Sequence, residues 1–132
     1  MLIITADALV CHAIGDYILQ SDWMATEKTK DTRAAVAHVV TYALPFLLLT
    51  RNWQALLFIV GTHFIIDRWR LARYVCWLKN FLNPRFRNEP WVQCSLTGYS
   101  PTKPAWMAVW LMIIADNIMH VICNGIALNF MD

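Results

Sequence analysis

Apolar residues fill four long segments of this chain, at 2–20, 34–50, 53–67 and 105–130, with polar stretches or short turns between them. The first and last approach or exceed the ~20 residues a helix needs to cross a bilayer. Pro45 is expected to kink the second segment, and Gly61 is expected to give the third a close helix contact. The helical pattern of the third segment continues through Trp69, Leu71, Tyr74, Val75 and Leu78, where Arg68, Arg70, Arg73 and Lys79 move it to the surface. Ser21 and Asp22 predict the cap of a short helix around Trp23. Pro84, Pro90, Gly98 and Pro101 break up residues 83–103, and Pro104 opens the fourth segment. The pattern predicts an all-α fold: a polytopic membrane helical bundle of about four transmembrane helices with short interfacial helices. It reads as a single transmembrane helical domain over residues 1–132, with a cytoplasmic loop at about 80–104.

The polar residues inside these segments matter most. His12, Asp16 and Gln20 follow one another at steps of four, which places them on one helix face. The same step separates His63 from Asp67 and Asp116 from His120, while His38 stands four before Tyr42. Ionisable groups in apolar segments are costly and require a partner, a metal or a function. All four histidines lie in such segments, one in each. Measured from the adjacent polar edges, His12, His38 and His63 have depths within roughly 5 Å of one another, with His120 deeper.

The expected metal ligands are therefore His12, Asp16, His38, His63, Asp67, Asp116 and His120. Mixed imidazole and carboxylate donors suit zinc or manganese among divalent transition metals. Their number suits two ions sharing a bridge. Gln20 and Asn117 are candidates to orient the ligands. Asp7 faces elsewhere.

Composition supports the membrane reading. The chain is 58% hydrophobic and 15% charged, with mean hydropathy +0.42, whereas soluble domains run near about 25% charged. All Lys and Arg except Arg51 fall in the two regions this segmentation places on one side. The positive-inside rule then puts those regions in the cytoplasm and both termini in the periplasm, as a multi-pass protein of the cell inner membrane. Cys11, Cys76, Cys94 and Cys123 have no metal or redox spacing. Met1 leads directly into apolar residues without a basic leader, so no cleavable signal is expected.

Arg70 follows Asp67 by three residues, and a guanidinium there could clamp a phosphate. The combination points to a metal-dependent hydrolase acting on a phosphoester at the cytoplasmic membrane face, with Asp16, Asp67, Arg70 and Asp116 as catalytic residues. Proton or metal-ion translocation is the alternative, as are a non-catalytic membrane interaction protein and a buried network that simply satisfies itself. Expected partners are membrane lipids and a phosphorylated substrate; the sequence leaves oligomeric state open. Nucleic acid is not expected, because no finger, glycine-rich phosphate loop or CxxC motif is present.

Several stretches together resemble a family. These are His12-Ala13-Ile14-Gly15-Asp16-Tyr17-Ile18-Leu19-Gln20-Ser21-Asp22-Trp23-Met24-Ala25, then Lys28 and His38, Thr62-His63-Phe64-Ile65-Ile66-Asp67-Arg68, and Asp116-Asn117-Ile118-Met119-His120. They resemble DUF3307, a family of small bacterial and phage integral membrane proteins. That resemblance implies a membrane setting for the polar motif and no particular reaction. More distantly, the His and Asp pairs look like those of a group of membrane-bound metal-dependent hydrolases, which bears on reaction class alone.

Overall fold

The computed structural model of the chain describes residues 2–82 and 89–131. These are mostly helical: α1 (Ala6–Ala13), a π turn (Ile14–Ile18), α2 (Asp22–Glu27), α3 (Thr32–Ala43), a 3-10 turn (Pro45–Leu48), α4 (Trp53–Trp69), α5 (Ala72–Lys79), a second 3-10 turn (Asn80–Leu82), α6 (Trp91–Cys94) and α7 (Ala105–Phe130). Of the loop expected at about 80–104, residues 83–88, with basic positions 85 and 87, lie outside the described residues. Its described part includes α6.

The four-span expectation is corrected. Among the described residues only Ala105–Phe130 is long and apolar enough to cross a membrane, with mean hydropathy 1.7. The other apolar segments are divided or short. In the first, residues 2–5 precede the helix, and α1 gives way to the π turn after 8 residues. In the second, α3 stops at Ala43 after 12 residues and Pro45 opens a 3-10 turn, as expected of a residue that lacks an amide hydrogen. In the third, α4 has 17 residues, a rise of about 25 Å against the roughly 30 Å of a hydrocarbon core. The multi-pass localisation, with both termini periplasmic, falls with these spans, since the charge argument depended on four crossings.

Two other expectations change. The helical pattern of the third segment reaches Leu78 only after a break: α4 ends at Trp69, Arg70 has φ 52, the left-handed region, and helix resumes as α5 at Ala72. Gly61 has open space where a Cβ would stand. Gly15 is the close-contact glycine instead, since a Cβ there would lie 2.5 Å from Tyr42 Cδ2 and 3.0 Å from the Tyr42 carbonyl oxygen.

The chain forms two compact units, one comprising residues up to Trp69 and from His120 onward, the other Arg70–Met119. In the first, α3 packs along α4, and the π turn and α2 both pack on α3. Its core joins Cys11, Tyr42, Phe46, Ala55, Ile59 and Ala127. Burying each of the large rings contributes roughly 1.5–3 kcal/mol. Three side chains fix helix starts: Thr5 caps α1, Ser21 caps α2 and Asp31 caps α3, each accepting from a first-turn amide.

The second unit is held differently. Tyr74 stacks on Trp91 at 4.5 Å, and Trp77 meets the same ring edge-on at 5.7 Å. The Arg73 guanidinium lies over both Tyr74 and Trp91 and donates to the Ser95 carbonyl. Gly98, at φ 84, brings the chain against the Arg73 carbonyl, where any Cβ would collide.

Candidate metal centre

Five elements supply a tight group of polar side chains in the first unit. α1 and the π turn bring His12 and Asp16, α3 brings His38, α4 brings His63 and Asp67, and α7 brings His120. All six are buried. The π turn shapes the first contribution: the Leu19 amide bonds the Ile14 carbonyl five residues back. Such turns recur at functional sites because the extra residue re-aims side chains. Gly15 allows this turn to lie against Tyr42, which sets Asp16 facing α3. Gln20 is outside the helix, and its amide donates back to the Asp16 carbonyl at 3.2 Å.

The ligand-type atoms converge. His38 Nε2 and His63 Nε2 are 2.9 Å apart. Asp16 Oδ1 lies 3.3 Å from each of them. Asp67 Oδ2 lies 3.1 Å from His38 Nε2 and 3.2 Å from His63 Nε2. Tetrahedral coordination at about 2.0–2.1 Å places ligand atoms about 3.3–3.4 Å apart. The separations among the Asp16, His38 and His63 atoms are therefore near what one tetrahedral ion requires. Asp16 Oδ1 is buried without a hydrogen-bond partner, despite facing two imidazole nitrogens. A buried carboxylate oxygen in that state calls for an explanation, and a cation supplies one.

The residues form two groups able to hold a metal ion: Asp16, His38 and His63, and then His63, Asp67 and His120. Asp67 is central, because its Oδ1 faces His120 Nε2 at 3.1 Å while its Oδ2 faces the other two rings. Burial pushes both carboxyls up. The imidazoles around them outweigh burial and hold both well below the usual carboxylate range. Burial pushes His38 down, and the Asp16 and Asp67 carboxylates more than reverse it.

Support for the rings comes from Tyr42, whose hydroxyl bonds His12 Nδ1 at 2.9 Å and accepts from Asn124 Nδ2 at 2.6 Å. The Tyr42 ring stacks on His63 at 3.7 Å, and His63 stacks on His120 at 4.0 Å. His12 lies beside the groups, its Nδ1 3.5 Å from Asp16 Oδ2.

The structure thus brings together His12, Asp16, His38, His63, Asp67 and His120. Asp116 and Arg70 belong to the second unit. Asp116 is half-buried and in neither ligand group, and the Arg70 guanidinium donates to the Leu96 carbonyl at 2.9 Å. Asn117 donates to the Ile113 carbonyl within its own helix.

The positive-inside pattern counts Lys28 among the topology charges, yet its ammonium donates to Asp67 Oδ2 at 2.6 Å and stands 3.4 Å from His38 Nε2. It arrives from the end of α2, so no helical period links it to the others. Tyr42 and Asn124 did carry a signal, each four residues beyond a site histidine.

Fold and site together define a helical protein with a buried His/Asp centre able to hold a metal ion. The chain belongs to the DUF3307 family, described as a protein of unknown function, whose model matches residues 4–131. Comparison with the curated proteins found no match, and neither did comparison with the solved structures.

Proposed function

We propose that the protein is a metal-dependent hydrolase acting on phosphoesters, with zinc or manganese held by Asp16, His38 and His63. The observation that carries this reading is the spacing of the ligand atoms, near tetrahedral edges, around an Asp16 oxygen with no hydrogen-bond partner. A bound divalent ion supplies Lewis acidity and stabilises negative charge developing on a phosphoryl oxygen. The chain does the rest. Asp67, gripped by His120 and Lys28, accepts the proton from an attacking water. Exposed Leu9, Val10 and Ile18 on the first segment, and the apolar length of α7, favour a lipid-borne phosphate at a membrane surface.

The test is a substrate panel of lipid phosphates, nucleotides and pyrophosphate, run on protein whose metal content has been measured. Turnover should vanish on chelation, return with one metal, and fall by ~100-fold or more in Asp67→Asn, the usual scale of losing a general base. A folded protein that takes up no metal under replete conditions would sink the reading in favour of a self-satisfied polar network.

A further inference from the structure

The oxygen that would complete a four-ligand metal site is already engaged. Asp67 Oδ2 lies 3.1 and 3.2 Å from His38 and His63 Nε2, close enough to join an ion held by those two rings. The same atom accepts from the Lys28 ammonium at 2.6 Å, a short charge-assisted bond. The other Asp67 oxygen accepts from His120 Nε2 at 3.1 Å. Asp67 is therefore gripped at both oxygens by donors of the protein.

We propose that Lys28 keeps the metal centre open by holding Asp67 out of the coordination shell, so that Asp16, His38 and His63 bind the ion and one position is left to solvent. This deepens the hydrolase reading and rests on it.

The physics is competition between two cations for one oxygen. An ion bound at His38 Nε2 and the ammonium, 3.4 Å from that same nitrogen, cannot both close on Asp67 Oδ2 without strong repulsion in a site shielded from water. Charge counting agrees. Two carboxylates and neutral imidazoles balance one divalent ion, and Lys28 adds a further positive charge. His63 is common to both ligand groups, and its Nε2, which faces both Asp16 and Asp67, binds one ion. A second divalent ion would find Asp67 and His120 as its remaining ligands and Lys28 beside it. The distinction matters because sites with four protein ligands are structural, while those with three and an open position are catalytic. On this view Lys28 is a positioning residue that acts through Asp67.

The difference can be read without turnover by loading the protein with Co2+ and following its visible spectrum as azide or inorganic phosphate is added. The wild type should bind one equivalent and respond to the anion, since an open position can exchange. Lys28→Met frees Asp67 to coordinate; it should bind Co2+ at least tenfold more tightly and lose the anion response. Lys28→Arg keeps a cationic donor and should restore the response. Bound Co2+ in the wild type that ignores anions overturns this inference while leaving a metal protein. A Lys28→Met protein that responds like the wild type also overturns it. Failure of the wild type to bind Co2+ or Zn2+ removes the hydrolase reading itself, and this inference with it. Should Lys28→Met fail to fold, the wild-type and Lys28→Arg spectra still decide.

Discussion

In α4, His63 and Asp67 stand one turn apart in an unbroken helix of 17 residues. In the first segment, His12 and Asp16 have the same spacing but straddle the change from α1 to the π turn. The two pairs serve different ends. His63 belongs to both ligand groups and Asp67 to the second, both held by regular helix geometry. Of the other pair, Asp16 enters a ligand group, while His12 turns to Tyr42. Identical spacing in sequence does not give identical roles, because backbone form decides where the second residue of each pair is aimed.

The largest effect should separate the two histidines. His63→Ala removes a ligand common to both groups and the middle ring of the Tyr42–His63–His120 stack. It should reduce bound metal to background by elemental analysis and destabilise the fold by about 2–4 kcal/mol. His12→Ala should retain metal, with loss confined to about 1–3 kcal/mol from leaving Tyr42 short of a partner. Equal metal loss in both variants would erase the distinction between the pairs.

Next in size is the contrast of glycines. Gly15→Ala drives a methyl into Tyr42, including its carbonyl oxygen at 3.0 Å, and should cost about 1–3 kcal/mol in thermal or denaturant unfolding while weakening metal binding. Gly61→Ala, on α4 with open space around it, should be neutral or stabilising by up to about 1 kcal/mol. A harmless Gly15→Ala would mean that the π turn can shift without consequence.

The smallest effect concerns pH and tests whether the centre prefers a proton or a metal. The carboxylates raise His38 above the ordinary imidazole value in the metal-free protein, against the opposing effect of burial. A raised pKa contributes stability fully below the unfolded value of about 6.5 and loses it as pH rises through the folded value. Metal-free protein should therefore lose Tm as pH is raised above neutrality. Metal-loaded protein should show the reverse trend, since protons compete with the ion for imidazole nitrogen. Parallel Tm profiles with and without metal would argue against coordination by His38.

Much of the site was legible because an imidazole or carboxylate in an apolar segment stands out whatever the fold. Spacing of four selected His12 with Asp16 and His63 with Asp67, and His38 stood out alone. Lys28 could not be found this way. It reaches Asp67 across 39 residues of sequence, from a short helix with no buried residue of its own. Asp116 and His120 illustrate the opposite limit. One helical turn joins them, yet they fall in different compact units, a division that periodicity does not express. Apolar composition misled on the number of spans, because hydropathy registers how apolar a segment is and not whether one helix runs through it. The π turn at Ile14 and the break at Pro45 set the lengths of the first two helices.

The π turn also makes the site sensitive to arithmetic as well as chemistry. A π turn is an α-helical turn lengthened by one residue, so deleting Ile14 or Gly15 would restore ordinary pitch while removing no ligand. Asp16 would move one place nearer His12, a rotation of up to about 100° about the helix axis. His12 and Asp16 would then be out of phase with each other or with α3, although every ligand remained in the chain. Within these five residues the count itself carries information, and a single-codon deletion there would be more damaging than most substitutions.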